Sequence, residues 1–214
     1  MHNLPKISSK YGGARLGKTL KSVHQLHLAE NQTFLLAPPS DQHRCIRVRF
    51  TQGVARLACS FGDVFPDITL AFCGDQEVKW LSLPFQNNFI LEAMSASSLE
   101  LEYVDQCEIE QDLIWEWLFD LHLVRHPVGA EARVAALLQL MVNRFGIRRA
   151  DGYLLPFTLG HARMAELVGA TRSTVTRQIT LLRQQSDIKI CESSGRFVLS
   201  SRVIEHMPTP RPRW

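Results

Sequence analysis

Two hydrophobic periods divide the chain. From Val23 to about Val104 short apolar or alternating runs follow one another: Val23 to Leu28, Thr33 to Leu36, Cys45 to Phe50, Val54 to Ala58, Ile68 to Phe72, Val78 to Leu83 and Leu99 to Val104. Pro38-Pro39, Gly53, Gly62, Pro66, Gly74 and Pro84 break them, a spacing that predicts an antiparallel β-domain. The clearest strand alternates Ile46, Val48 and Phe50 against Arg47 and Arg49, one face buried and one solvated.

The period then lengthens. Asp112 to Arg125 places Ile114, Trp117, Leu118 and Leu121 on one helical stripe, while Leu113, Trp115, Phe119 and Leu123 cover much of the rest. A helix apolar on most sides needs two partners. It reads either as an ordinary core helix or as one shared between its own β-domain and the same helix of a second subunit, with Ile114, Trp117, Leu118 and Leu121 at the dimer interface. His126-Pro127 ends it. A second helix is predicted from near Gly129, with Val134, Leu137, Leu138, Met141 and Phe145 on its stripe, closing near Gly146. Residues 1 to 22 are polar, basic and without a face to bury, and read as an arm.

Composition narrows the class. The 214 residues are 45% hydrophobic and 21% charged, with a net charge of +3, which suits one or two packed domains. No run of about 18 apolar residues is present, and the basic N-terminus has no apolar stretch behind it of signal-peptide length. A cytoplasmic location is therefore expected. Cys45, Cys59, Cys73, Cys107 and Cys191 form no C-x-x-C pair and are expected to be mostly buried thiols. The charge is uneven: residues 1 to 124 carry net −5 and residues 125 to 214 carry net +8. No Lys or Arg lies between Lys79 and Arg125, where nine acids fall from Glu92 to Asp120. That stretch reads as a solvated face, with a polymerase-contacting surface as the sharper alternative. The basic C-terminal part is the one suited to a polyanion.

A motif there names the polyanion. A short helix is predicted at about Gly160 to Val168, with Met164, Ala165, Leu167 and Val168 apolar, then Gly169, then a helix starting at Thr171 with Val175, Ile179 and Leu182 apolar. Two short helices joined by a glycine turn, the second capped by threonine, form a helix-turn-helix. At about 100° per residue, Arg172, Ser173, Thr176, Arg177 and Thr180 share the side opposite the apolar stripe. Arg172 and Arg177 each suit a bidentate pair with guanine O6 and N7; Thr171, Thr174 and the helix N-terminus suit backbone phosphate. Ile188 to Cys191 and Phe197 to Ser200 flank Glu192-Ser193-Ser194-Gly195-Arg196, a predicted hairpin, or wing, with Arg196 at its tip near phosphate.

The run G-A-T-R-S-T-V-T-R, Gly169 to Arg177, with Leu181-Leu182 beyond it, resembles the winged helix-turn-helix of the Crp/Fnr family of bacterial transcription regulators, and is most similar to its cyanobacterial nitrogen-regulator branch. The resemblance implies an α+β chain: an N-terminal antiparallel β-roll like that of cyclic-nucleotide-binding domains, a long dimerisation helix and a C-terminal winged helix-turn-helix. The expected division is a flexible arm at 1–22, a β-roll at 23–108, the dimerisation helix at 109–126, the winged domain at 127–207 and a tail at 208–214. It further implies a homodimer on palindromic double-stranded DNA, with RNA polymerase as partner and no membrane role. Arg172 and Arg177 fall at base-reading positions, Thr171 and Thr174 at phosphate-contacting ones. Ser173 stands where many members carry Glu, so the operator should differ there, and His161-Ala162-Arg163 replaces the commoner polar-Gln-Glu, with Arg163 a substitute phosphate contact. Gly62-Asp63-Val64-Phe65 is similar to the family's Gly-Asp turn, but no Arg-Ser-Ala follows, so cyclic AMP is not expected and no residue is assigned to a cofactor or effector. Residues 1 to 44 hold no cysteine for an iron–sulfur sensor.

Other signals favour plainer readings. His122 and His126 have the i, i+4 spacing that lets two imidazoles share a metal, yet no third ligand is near, so they read as structural or solvent-facing. His24 and His27 straddle a strand-like run, and Trp115 and Trp117 read as packing rather than a ligand cage. Cys45, between Arg44 and Arg47, is the one thiol whose neighbours in sequence favour a thiolate. No G-x-S-x-G, P-loop, G-x-G-x-x-G or H-E-x-x-H is present, so no enzyme is expected. The rival reading is a winged-helix adaptor that binds protein without reading sequence; it has no need of exposed Arg172 and Arg177.

Overall fold

The structure, a computed structural model, describes residues 23–36, 45–61, 67–82, 88–104 and 113–205. The expected arm at 1–22, the Gly62-Asp63-Val64-Phe65 turn, Cys107 and the tail at 208–214 lie outside them. Two compact units divide between Ile114 and Trp115.

The first unit is built of strands: β1 (His24–Leu28), β2 (Thr33–Leu36), β3 (Cys45–Gln52), β4 (Ala55–Ser60), β5 (Ile68–Cys73), β6 (Val78–Ser82), β7 (Asn88–Ala93) and β8 (Ser97–Val104). They form two four-stranded antiparallel sheets, in the orders β1-β8-β3-β6 and β2-β7-β4-β5. Every connection except β4 to β5 passes from one sheet to the other, which is the winding of a β-roll. On β3, Ile46, Val48 and Phe50 are buried as their alternation predicts. Arg47 and Arg49 face outward and pair across the ladder with Glu102 at 3.1 Å and Glu100 at 3.8 Å.

Strand β7 went unread in the sequence. Its Phe89-Ile90-Leu91 run is buried at three consecutive positions, so both faces of β7 are covered there and no alternation shows. Its Glu92 also departs from the expected solvated acidic face. Glu92 sits opposite Arg56 of β4, whose side chain is 2% exposed, and accepts from Arg56 Nε at 2.6 Å; Arg56 Nη1 donates to Thr69 Oγ1 at 3.1 Å. Among the described acids of that stretch, Glu92, Glu100, Glu102, Glu116 and Asp120 are each ion-paired with an arginine.

The cysteines divide three ways. Cys45 is disulfide-bonded, so it is not the thiolate its flanking arginines suggested, and its partner lies outside the described residues. Cys59 and Cys73 are buried thiols, and burial pushes Cys73 up to about 12. Cys191 is half-exposed in the second unit.

The second unit contains α1 (Leu113–Arg125), α2 (Ala130–Phe145), β9 (Ile147–Arg149), β10 (Gly152–Leu154), α3 (His161–Val168), α4 (Arg172–Gln184), β11 (Ile188–Ile190), β12 (Phe197–Leu199) and α5 (Ser201–Glu205). The β9–β10 hairpin, unforeseen from sequence, joins the wing in one antiparallel sheet of order β11-β12-β10-β9. Gly152 makes that junction possible: a Cβ there would lie 2.1 Å from the Leu199 carbonyl oxygen, and its φ of +135° is open to glycine alone.

Helix α1 has two unlike faces. Trp117 is fully buried, stacked on Phe145 with centroids 5.8 Å apart, and the Arg144 guanidinium lies over its ring at 5.1 Å. Arg144 also binds Asp120 at 2.7 Å, fastening α2 to α1. Leu121 and Val124 are buried beside Trp117 on the same face. Trp117 and Leu121, two of the residues expected to meet a second subunit, are therefore covered within the chain; Ile114 and Leu118 are half-buried. The open face carries Trp115, 71% exposed, and Phe119, 44% exposed. Trp115 is thus largely exposed rather than packed.

Candidate nucleic-acid interface

Helices α3 and α4 are joined by a turn that only a few residue types allow. Gly169 caps α3 at φ 62° and ψ 51°, in the left-handed region, and Ala170 N–H donates back to the Ala165 carbonyl at 2.9 Å. Thr171 caps α4: its Oγ1 accepts from Thr174 N–H at 3.2 Å and lies 2.9 Å from Ser173 Oγ and 2.8 Å from Thr174 Oγ1. The helix therefore begins at Arg172, with Thr171 just outside it. Val175, Ile179 and Leu182 are buried, joined by Gln178. Arg172, Ser173, Thr176, Arg177 and Thr180 are exposed, so the polar side computed from the sequence is the solvent side.

The threonines on that side are already hydrogen-bonded. Thr176 Oγ1 donates to the Arg172 carbonyl and Thr180 Oγ1 to the Thr176 carbonyl, each at 2.9 Å. His161 Nδ1 lies 2.9 Å from Thr176 Oγ1; the hydroxyl hydrogen is spent on the backbone, so the imidazole is the donor. His161 thus ties the start of α3 to the exposed face of α4. Arg163 is half-buried and paired with Glu166 of its own helix.

Two arginines the sequence reading did not single out hold the turn. Arg125 donates from Nε to the Leu167 carbonyl at 2.9 Å and from Nη2 to the Glu166 carbonyl at 2.7 Å. Arg133 donates from Nη1 to Val168 O at 2.9 Å and Gly169 O at 3.1 Å. The carbonyls at the C-terminus of α3, of which Glu166 O also takes a long bond from Gly169 N–H at 3.4 Å, are thereby met by cations, the sign favoured at that end. Nothing in the periodicity marks these residues; each stands near a helix end, and only the fold brings it to α3.

The wing differs in detail from its sequence reading. Cys191 N–H donates to the Arg196 carbonyl at 2.8 Å, so Arg196 closes the hairpin ladder, half-buried, and the tip is Ser193-Ser194-Gly195. Cys191 Sγ is 3.3 Å from Ser193 Oγ, and hydrogen bonds from Ser193 and Ser194 hold the thiol down at about 6.

A β-roll unit together with a winged helix-turn-helix defines a class of two-module chain in which an arginine-bearing helix is offered to solvent. The comparisons specify the class further. The family model described as a Crp-like helix-turn-helix domain matches residues 132–201. The global nitrogen regulator of Nostoc sp. is 37% identical over 59 residues, 28% of this chain and 26% of that protein, so the match spans about a quarter of that relative. The anaerobic regulatory protein of Bacillus subtilis is 22% identical over 205 residues, 87% of this chain and 84% of that protein. A CRP/FNR-family transcriptional regulator from Thermus thermophilus superposes with a TM-score of 0.61 at 18% identity, covering 85% of this chain and 98% of the other. A CooA mutant from Carboxydothermus hydrogenoformans gives 0.59 at 15% identity, over 86% and 87%. Residues 132–201 thus match the Crp-like helix-turn-helix domain family, and the fold of the chain is like that of CRP/FNR-family transcriptional regulators. Among the described residues no helix is long and apolar enough to cross a membrane.

Proposed function

We propose that the chain is a sequence-specific, DNA-binding transcription regulator that acts as a homodimer on a palindromic operator and does not require cyclic AMP. The observation that carries this is the exposed face of α4, where Arg172 and Arg177 reach solvent above a buried stripe and a threonine-capped N-terminus. In the major groove each guanidinium reads a guanine, and the N-terminal N–H groups of α4 with Thr171 and Thr174 meet phosphate. Ser173 and Thr176 face the groove beside them, while His161, Arg163 and Arg196 border it from α3 and the wing.

The dimer forms through the exposed face of α1, Trp115 and Phe119 with half-buried Leu118, because large apolar side chains that reach solvent from one helix face suit an apolar partner surface. Two recognition helices then enter successive major grooves roughly 34–36 Å apart. Such a regulator works in the bacterial cytoplasm, beside DNA and RNA polymerase.

Selection of bound duplexes from a random pool, with purified protein and no added effector, tests the reading. A palindrome with guanines set one turn apart is expected. Equal retention of all sequences overturns it in favour of an adaptor or a non-specific binder.

A further inference from the structure

The open stripe of α1 does not end in hydrocarbon. Trp115, Phe119, His122 and His126 follow one another at spacings of four, three and four, and at about 100° per residue they fall within about 60° of each other. All four are exposed, whereas Trp117, Leu121 and Val124 on the opposite side are buried. His126 is the first residue past the helix, and its N–H still donates to the Leu123 carbonyl at 3.0 Å, which keeps its ring on the stripe. The two imidazole centroids are 5.6 Å apart.

We propose that His122 and His126 from two subunits together form a binding site for one divalent transition-metal ion, closed by a parallel pairing of α1 with its copy. The proposal rests on the dimer reading above. A four-three-four spacing is that of alternating d and a positions, the seam of a two-stranded coil, and half-buried Leu118 and Leu123 border it. In parallel register each seam residue faces its own copy. Trp115 and Phe119 meet aromatic partners at one end, and His122 and His126 meet imidazoles at the other. A second copy is therefore the occupant that matches the stripe along its whole length, apolar against apolar and imidazole against imidazole.

The four imidazoles are polar groups at the end of an apolar seam, and together they make a complete nitrogen donor set. One subunit supplies only half of it: among the described residues no group of three metal-binding side chains occurs within the chain. Two more nitrogens from the partner complete a tetrahedral four, and imidazole donors suit zinc, nickel or copper rather than magnesium or calcium. Because Arg125 lies between the two histidines and caps α3, an ion bound there clamps the turn of α1 that also holds the helix-turn-helix.

Sedimentation equilibrium of the full chain, in EDTA and in zinc chloride, tests the site, with zinc content measured after gel filtration. The comparison protein is His122→Ala/His126→Ala, which alters only exposed side chains. A wild-type dimer is expected in EDTA, with its dissociation constant lowered about tenfold when free zinc is ten times its own dissociation constant. One zinc per dimer is expected, and the double variant should dimerise in EDTA but lose both zinc effects. A wild-type dimer indifferent to zinc, two zinc ions per dimer without tightening, or the same response in the variant overturns the metal site and leaves the dimer standing. A chain monomeric with and without zinc instead overturns the dimer reading on which it rests.

Discussion

Arg125, in the last turn of α1, donates to the carbonyl of Glu166 at 2.7 Å, linking two residues 41 positions apart. With its second bond to Leu167 it makes the seam helix an end-cap of the first motif helix. Arg125→Ala leaves the Leu167 carbonyl to water and the Glu166 carbonyl with only the long bond from Gly169 N–H at 3.4 Å. Since both bonds are partly accessible, a loss of about 1–2 kcal/mol is expected, read as a lower urea midpoint at unchanged slope. Arg125→Lys keeps the charge but lacks the fork that reaches both oxygens, and should recover less than half. Full stability in the alanine variant would show that the cap is idle.

Arg172→Ala and Arg177→Ala are expected to relax selection at one base position each per half-site, costing about 1–3 kcal/mol on the preferred duplex. Arg196→Ala should instead weaken all duplexes alike and lower the salt slope by about 1. Selected pools and salt titrations separate the two kinds of loss. A pool from the Arg172 variant with the same base at every position would remove Arg172 from the reading face.

Arg56 is the costly residue of the β-roll. Arg56→Met removes a fully buried guanidinium together with its bonds to half-buried Glu92 and to Thr69, so a loss of about 1–3 kcal/mol is expected on denaturant unfolding. Adding Glu92→Leu should recover part of it, because the half-buried carboxylate goes with its partner. A single variant as stable as wild type would contradict the pairing.

Cys191 should titrate on its own schedule. Hydrogen bonds from Ser193 and Ser194 favour the thiolate and lower its pKa to about 6, so alkylation by iodoacetamide should rise through pH 6 and level off by about pH 7.5. An ordinary thiol, near 8.5, still gains there. Ser193→Ala removes the hydroxyl bond that lowers the thiol most and should move the midpoint upward. Cys73, buried and pushed up to about 12, should stay unlabelled until the chain unfolds. An unchanged midpoint in Ser193→Ala would rule out this cause.

The parts legible in the sequence are those where one face is wet. β3 announces itself because its arginines alternate with buried residues, and α4 because a cap, a glycine turn and a polar side coincide at Gly169 to Arg177. β7 was silent because a strand buried at consecutive positions, on both faces, loses its period. α1 misled for the related reason that both faces are apolar: periodicity finds two stripes and cannot say which one Phe145 will cover. The short β9–β10 hairpin, three residues a side, has no room to display a pattern. The caps from Arg125 and Arg133 are long-range facts, set by where α1 ends and α2 begins rather than by what surrounds them in the chain.

Thr176 and Thr180 bond back to their own helix, and what they turn outward is a consequence of that. With each hydroxyl hydrogen spent on a carbonyl, Thr176 and Thr180 keep only an accepting oxygen and a γ-methyl. On the proposed reading, in which the flanking arginines select guanine, those methyls suit the C5-methyl of thymine. Uracil in place of thymine, an exchange that removes a single methyl, should be felt there.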